Sequence, residues 1–181
     1  MEDIKLDDLI DKVSKRSDLK TNDIPTLDLY MDQIMTLFED NLIDNKRYED
    51  DKIMTKTMIN NYSKAKVISP VKGKKYTKEQ IIQMLLVYNL KNSLTIQEIK
   101  QILTPLYENK MNLEELYNRF IDIKTIQNND FKELINDKIS HYQLDIVDDR
   151  ILVILSLISL SNQLNSLVSL MIDNYYVKED K

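Results

Sequence analysis

A chain of 181 residues that contains one glycine and three prolines has few means of turning sharply. Sandwiches, barrels and doubly wound α/β sheets need frequent turn punctuation, and it is missing here. Leu, Ile, Lys, Glu and Gln occur throughout, so a mostly helical protein is the default. The length suits one domain or two small ones with a real interior, and a hydrophobic fraction of 43% is enough to fill it. The absence of cysteine excludes disulfides, thiolate metal sites and thiol nucleophiles and fits a reducing compartment. The acidic, amphipathic start "MEDIKLDDLIDKVSKR" lacks the basic and apolar regions of a secretory signal. The expected location is the cytoplasm. Lysine outnumbers arginine 21 to 4, a bias that suits an AT-rich bacterial genome.

Periodicity and capping signals predict the elements. Leu6, Leu9, Ile10 and Val13 share one face of a first helix, and Pro25 closes the linker that follows. A second helix is predicted from about Thr26, carrying Leu29, Ile34, Leu37, Phe38 and Leu42. Residues 44–51 read as a polar connection. In the next helix, predicted over 52–66, Ile53, Met58, Ile59 and Tyr62 form the core face. Thr55, Lys56, Asn60 and Lys64 lie elsewhere on the cylinder. Pro70 stops that helix, and "PVKGKKY" predicts a small hairpin turning at Lys72-Gly73. Thr77 with Gln80, and Thr95 with Glu98, are capping boxes for two further helices. Asn112 with Glu115 and Asp130 with Glu133 predict two more helix starts. Asp148 or Asp149 is expected to cap the last helix.

Charge is unevenly spread. The chain carries a net −5, yet Lys52 to Lys78 holds eight lysines and no acid, so this window is +8 and the remainder −13. Such a block is either a lysine-rich solvated surface or the electrostatic footprint of a polyanion site. Gly73, the only glycine, sits among these lysines. A two-residue turn needs φ > 0, which glycine adopts without a Cβ penalty, and a turn lacking a side chain can approach a sugar-phosphate backbone closely.

The order helix, helix, basic hairpin, helix, helix resembles the winged-helix DNA-binding domain of MerR-type bacterial regulators. Tyr62, Val67-Ile68-x-Pro70, Lys72 to Lys75, Tyr76-Thr77 and Glu98-Ile99-Lys100 stand where that family has its recognition-helix tyrosine, apolar pair and proline, wing, and following helices. The chain has Asn60-Asn61-Tyr62 where the family has Arg-Tyr-Tyr, and Lys66 where it has Gly. The phrases "LYMDQIM" and "TKTMINNY" resemble more narrowly an uncharacterised Gram-positive family, a domain of unknown function that includes the proposed regulator YkrK. These resemblances imply an all-α fold with a small β-hairpin wing and a C-terminal helical bundle. The implied organisation is an N-terminal helix and linker (1–25), a winged-helix domain (26–107) and a dimerisation or sensor region (108–181). The implied partner is double-stranded DNA, contacted by Lys52, Thr55, Lys56, Asn60, Asn61, Tyr62, Lys64, Lys66, Lys72, Gly73, Lys74 and Lys75. Asn can bond adenine bidentately in the major groove, and Lys reaches guanine or phosphate.

In "RILVILSLISLSNQLNSLVSLMI" (150–172), Val153, Leu157, Leu160, Leu164, Leu167 and Met171 alternate spacings of three and four, the pattern of a helix seam. Asn162, Gln163, Asn165 and the serines argue for a core or dimerisation helix rather than a membrane span. The expectation is a homodimer without membrane attachment. No glycine-rich phosphate loop, G-x-S-x-G elbow or histidine pair is present, and His141 is the only histidine. Glu114-Glu115 and Asp148-Asp149 are adjacent pairs that a helix points about 100° apart. The chain therefore reads as a non-enzyme without cofactor or metal. The functional expectation is a dimeric transcriptional regulator, a repressor, with an unknown small-molecule effector as one variant and an all-helical protein-interaction module as the alternative.

Overall fold

The computed structural model describes residues 6–71 and 73–176. Among them it has seven α-helices and one two-stranded antiparallel sheet. The order is α1 (Leu6–Ser14), β1 (Leu29–Tyr30), α2 (Met31–Leu42), α3 (Lys56–Lys64), β2 (Lys75–Tyr76), α4 (Lys78–Leu90), α5 (Ile96–Glu108), α6 (Leu113–Ile139) and α7 (Val147–Tyr175). The mostly helical architecture follows from the composition. Two compact units divide the chain, one of Lys15–Thr125 and one that joins Met1–Ser14 to Ile126–Lys181. The divisions fall at 14/15 and inside α6.

In the unit of Lys15–Thr125, α4 is the central element. Ile81, Ile82, Met84, Leu85, Leu86 and Val87 are all buried, so this helix is enclosed on every side, as a mostly apolar helix must be. Stripes spaced by about four residues surround it: Ile34, Phe38 and Leu42 of α2, Ile99 and Leu103 of α5, and Leu113, Tyr117 and Ile121 of α6. Both capping boxes form as expected, Thr77 with Gln80 and Thr95 with Glu98. Gln80 and Gln83 are buried polar residues, and both are satisfied. Gln80 Nε2 donates to the carbonyls of Ser69 (3.1 Å) and Pro70 (3.0 Å), and its Oε1 accepts from Thr77 N (2.9 Å). Gln83 Oε1 accepts from Ser69 N (2.8 Å), while its Nε2 donates to Ser69 Oγ (2.9 Å). These bonds fix the Ser69-Pro70 segment against α4, where leaving any of the groups unpaired would cost about 1–3 kcal/mol.

The sheet corrects the predicted hairpin. β2 pairs with β1, not with residues 70–74, in the register Leu29↔Tyr76 and Tyr30↔Lys75. The reason is local. Ser69 and Pro70 are held by the glutamines of α4 and cannot fold back as a strand partner, whereas the extended Leu29-Tyr30 segment offers free backbone groups. Tyr76 is buried opposite half-buried Leu29. On the other face the Lys75 ammonium lies 5.0 Å from the Tyr30 ring centroid. Because 29–30 is extended, α2 starts at Met31 rather than near Thr26, with the Gln33 side chain accepting from Tyr30 N (2.9 Å).

In the unit of 1–14 and 126–181, Ile10 of α1, Ile135 and Ile139 of α6 and Val153 of α7 form a small core, with Leu6, Phe131, Tyr142, Leu144 and Leu157 packed on it. Leu9 and Val13, expected on the buried face of α1, are exposed. Lys132 lies 3.6 Å from both Asp7 and Asp11. No helix starts at Asp130, because α6 runs unbroken from Leu113 to Ile139. The Asn-rich stretch 127–130 contains neither Gly nor Pro, and helix-neutral residues alone do not end a helix. The N-cap of α7 is Ile146, not an aspartate. Asp148 and Asp149 occupy the first turn, where Asp149 Oδ2 accepts from Gln143 N (2.7 Å).

Candidate nucleic-acid interface

Just after Lys52, at the start of the basic window, Ile53 and Met54 are buried and anchor the segment ahead of α3 in the core. Helix α3 therefore starts at Lys56, later than the predicted Lys52. Thr55 is its N-cap, accepting from Met58 N (3.1 Å). The bond uses one lone pair of the Thr55 hydroxyl and leaves its O–H as a donor. Ile59 and Tyr62 form the inner face. Met58, expected to be buried with them, is 36% exposed. Tyr62 is buried, and burial raises the pKa of its hydroxyl. It lies on the core face that its spacing predicted.

The outer face of α3 presents Thr57, Asn60, Asn61 and Lys64, all exposed. At 100° per residue these four lie on one side of the cylinder, and none is acidic. Lys66 follows at the helix end with φ 60°. Its N–H donates to Ser63 O (3.0 Å) and the Val67 N–H to Tyr62 O (2.9 Å), the two bonds of a Schellman ending in which the left-handed position usually carries glycine. Lysine occupies that position here with its side chain exposed.

Gly73, Lys74 and Lys75 are exposed between the Ser69-Pro70 anchor and the sheet, while Lys72 lies outside the described residues. Gly73 has φ 79°, and nothing lies within 4 Å of where its Cβ would be. The demand for glycine in the folded chain is thus one of backbone conformation, not of crowding. Among the described residues, no carboxylate pairs with Lys64, Lys66, Lys74 or Lys75. Lys56 differs: its ammonium is ion-paired with Asp32 at the start of α2. Lys52 is exposed ahead of the cap.

The second group of predicted residues lies on α7. Val153 is buried and Leu157 packs on the same core, while Leu160 is half-buried. Beyond them the same stripe loses its cover: Leu164 is 56%, Leu167 55% and Met171 48% exposed. By length and composition α7 is also a helix able to cross a membrane, with mean hydropathy 1.7 over a window of which 6% is buried. Among the described residues, no group of three or more His, Cys, Asp or Glu could hold a metal ion.

No curated protein and no solved structure matches this chain. A family model described as a domain of unknown function, DUF1836, matches residues 19–120. The matched stretch takes in α3, the basic loop and the helices that hold them, and it covers more than half of the sequence, so the chain belongs to the DUF1836 family.

Proposed function

We propose that this protein is a sequence-specific DNA-binding regulator, a repressor, that acts in the cytoplasm as a homodimer. The observation that carries the reading is the outward face of α3. Thr57, Asn60, Asn61 and Lys64 supply base-reading amides and a cation with no acid among them, and the exposed Lys66, Lys74 and Lys75 add cations free of carboxylates. Amide side chains on a helix suit major-groove edges, and unpaired lysines suit phosphate. The MerR-type comparison draws support from the succession of α2, α3, an exposed basic loop, β2 and α4. The connection over 43–55 is longer than the three- to four-residue turn of a helix-turn-helix, so in this reading α3 acts as the reading element without a tight partner helix. Dimerisation draws support from the uncovered Leu164, Leu167 and Met171, since two-fold pairing doubles the sequence read.

Fluorescence anisotropy with duplexes from upstream of the gene and with scrambled duplexes, across a salt series, tests this. The native chain is expected to prefer the upstream duplex. Replacing Lys64, Lys74 and Lys75 with Gln should lower the log-log salt slope by up to about 3, at about 0.9 per lost phosphate contact. Asn60→Ala should narrow the preference between duplexes with little change in slope. An unchanged slope in the triple variant refutes the interface.

A further inference from the structure

A second basic surface lies within the unit of Lys15–Thr125, built from residues that are scattered in the sequence. Arg16, Lys46, Arg47, Lys52 and Lys91 line one cleft of about 330 Å³. Asp51 is the only carboxylate in that lining, and its Oδ2 is engaged by the backbone N–H groups of Arg47 (3.1 Å) and Tyr48 (3.0 Å). Lys46 is neutralised by an ion pair with Glu39. The other four cations have no ion pair among the described residues, which leaves an excess of three positive charges over Asp51. The floor is fixed: Ile53 is buried, and Asn45 Nδ2 donates to Ser17 O (2.8 Å) and Tyr88 Oη (3.0 Å).

A solvated rim of lysines would not need such a floor, and two features point to a ligand. Lys91 is half-buried, with its ammonium 3.3 Å from Asn92 Oδ1 and 5.6 Å from the Tyr88 ring centroid, and burial lowers its pKa. The carbonyl end of α4 accounts for one cation there, not for four. In addition, two of only four arginines in the chain meet in this cleft, and arginine presents the planar donor fork that suits phosphate.

We propose that this cleft binds a small phosphorylated molecule through its phosphate. The volume, about 330 Å³, is at the lower end of small-ligand sites. Lys52 leads directly into Ile53, Met54 and the Thr55 cap, so the ligand and α3 share one connecting segment. The proposal does not rest on the DNA reading.

Isothermal titration of the full chain with inorganic pyrophosphate at matched ionic strength tests it, with Arg16→Gln/Lys91→Gln as the variant. The expected result is one saturable site per chain, weakened at least about tenfold in the variant, with an unchanged thermal melt. Arg16→Gln alone, at an exposed position, gives the same direction if the double variant unfolds. Absence of saturation up to about 10 mM overturns the proposal, as does equal affinity in the variants, which would place the anion on the lysines of α3 and its loop. The same variants in duplex anisotropy separate the sources of phosphate. Unchanged duplex binding supports a free ligand, and a parallel loss assigns the cleft to the DNA backbone and overturns the small-ligand reading. A native chain that binds pyrophosphate but no duplex would sink the DNA function and leave the cleft standing.

Discussion

Replacing Lys66 with Gly should stabilise the protein, although it removes a charged side chain and adds no contact. Lys66 has φ 60° at the end of α3, where a Cβ meets the following carbonyl at a cost of roughly 1–2 kcal/mol. Glycine escapes that cost but adds freedom to the unfolded chain, which returns about 0.4–1 kcal/mol. The net expectation is a gain near 1 kcal/mol, or about 4 °C in Tm for a domain of this size. The Schellman bonds to Ser63 and Tyr62 use backbone groups only and survive the change. Lys66→Ala keeps the Cβ and should stay close to native, which isolates conformation from charge. Urea denaturation of the three proteins reads the difference directly. If Gly is no more stable than Ala, the left-handed strain does not exist and the argument fails. In the DNA reading, the more stable Gly variant should bind duplex more weakly than native, and Ala should weaken it equally, because both lose the same ammonium.

Leu164→Asp with Leu167→Asp should give a folded monomer by sedimentation, because both side chains are exposed in one chain. Val153→Asp should unfold its unit by burying an unpaired charge, at a cost of several kcal/mol. A native chain that sediments as a monomer at micromolar concentration removes the dimer. Glu98 accepts from the Thr95 hydroxyl (2.7 Å) and backbone N–H (2.8 Å), and the Thr95 bonds hold its carboxyl below the usual value of 4.5. A depressed folded pKa contributes stability that is full above the unfolded value and lost as pH falls through the folded one. Glu98→Gln should therefore be less stable than native at neutral pH, with the gap closing in acid. A gap that persists in denaturation at low pH refutes the link.

What the sequence revealed was local. The boxes Thr77/Gln80 and Thr95/Glu98 involve residues three apart, and both form, because capping depends on nothing outside one helical turn. The β1–β2 pairing joins 29–30 to 75–76 and could not be read from a window around Gly73. The signal that could have argued against a hairpin was the buried pair Gln80 and Gln83 on α4, whose amides needed partners from some neighbouring loop. Tyr62 carried two readings, core by spacing and contact by resemblance, and its side chain is buried on the core face of α3. The cleft was illegible for the same reason as the sheet: Arg16, Arg47, Lys52 and Lys91 belong to three stretches that only the fold assembles.

Three described residues have positive φ, namely Lys66, Gly73 and Lys110, and glycine serves only one of them. The two lysines end α3 and α5, each with the paired Schellman bonds that hold a left-handed residue in place: Lys66 as above, and Lys110 N–H to Tyr107 O (3.2 Å) with Met111 N–H to Leu106 O (3.0 Å). Helix-end hydrogen bonds therefore offset the Cβ cost at 66 and 110. Gly73, at φ 79°, sits in a loop ahead of a two-residue strand and ends no helix. The single glycine thus lies at the one left-handed position that no helix ending supports. Lys110 is also the internal control for function. It shares the conformation of Lys66 but not its place beside the outer face of α3, so strain at both positions reflects a glycine-poor chain, whereas loss of duplex binding on substitution at 66 alone would reflect the charge that α3 presents.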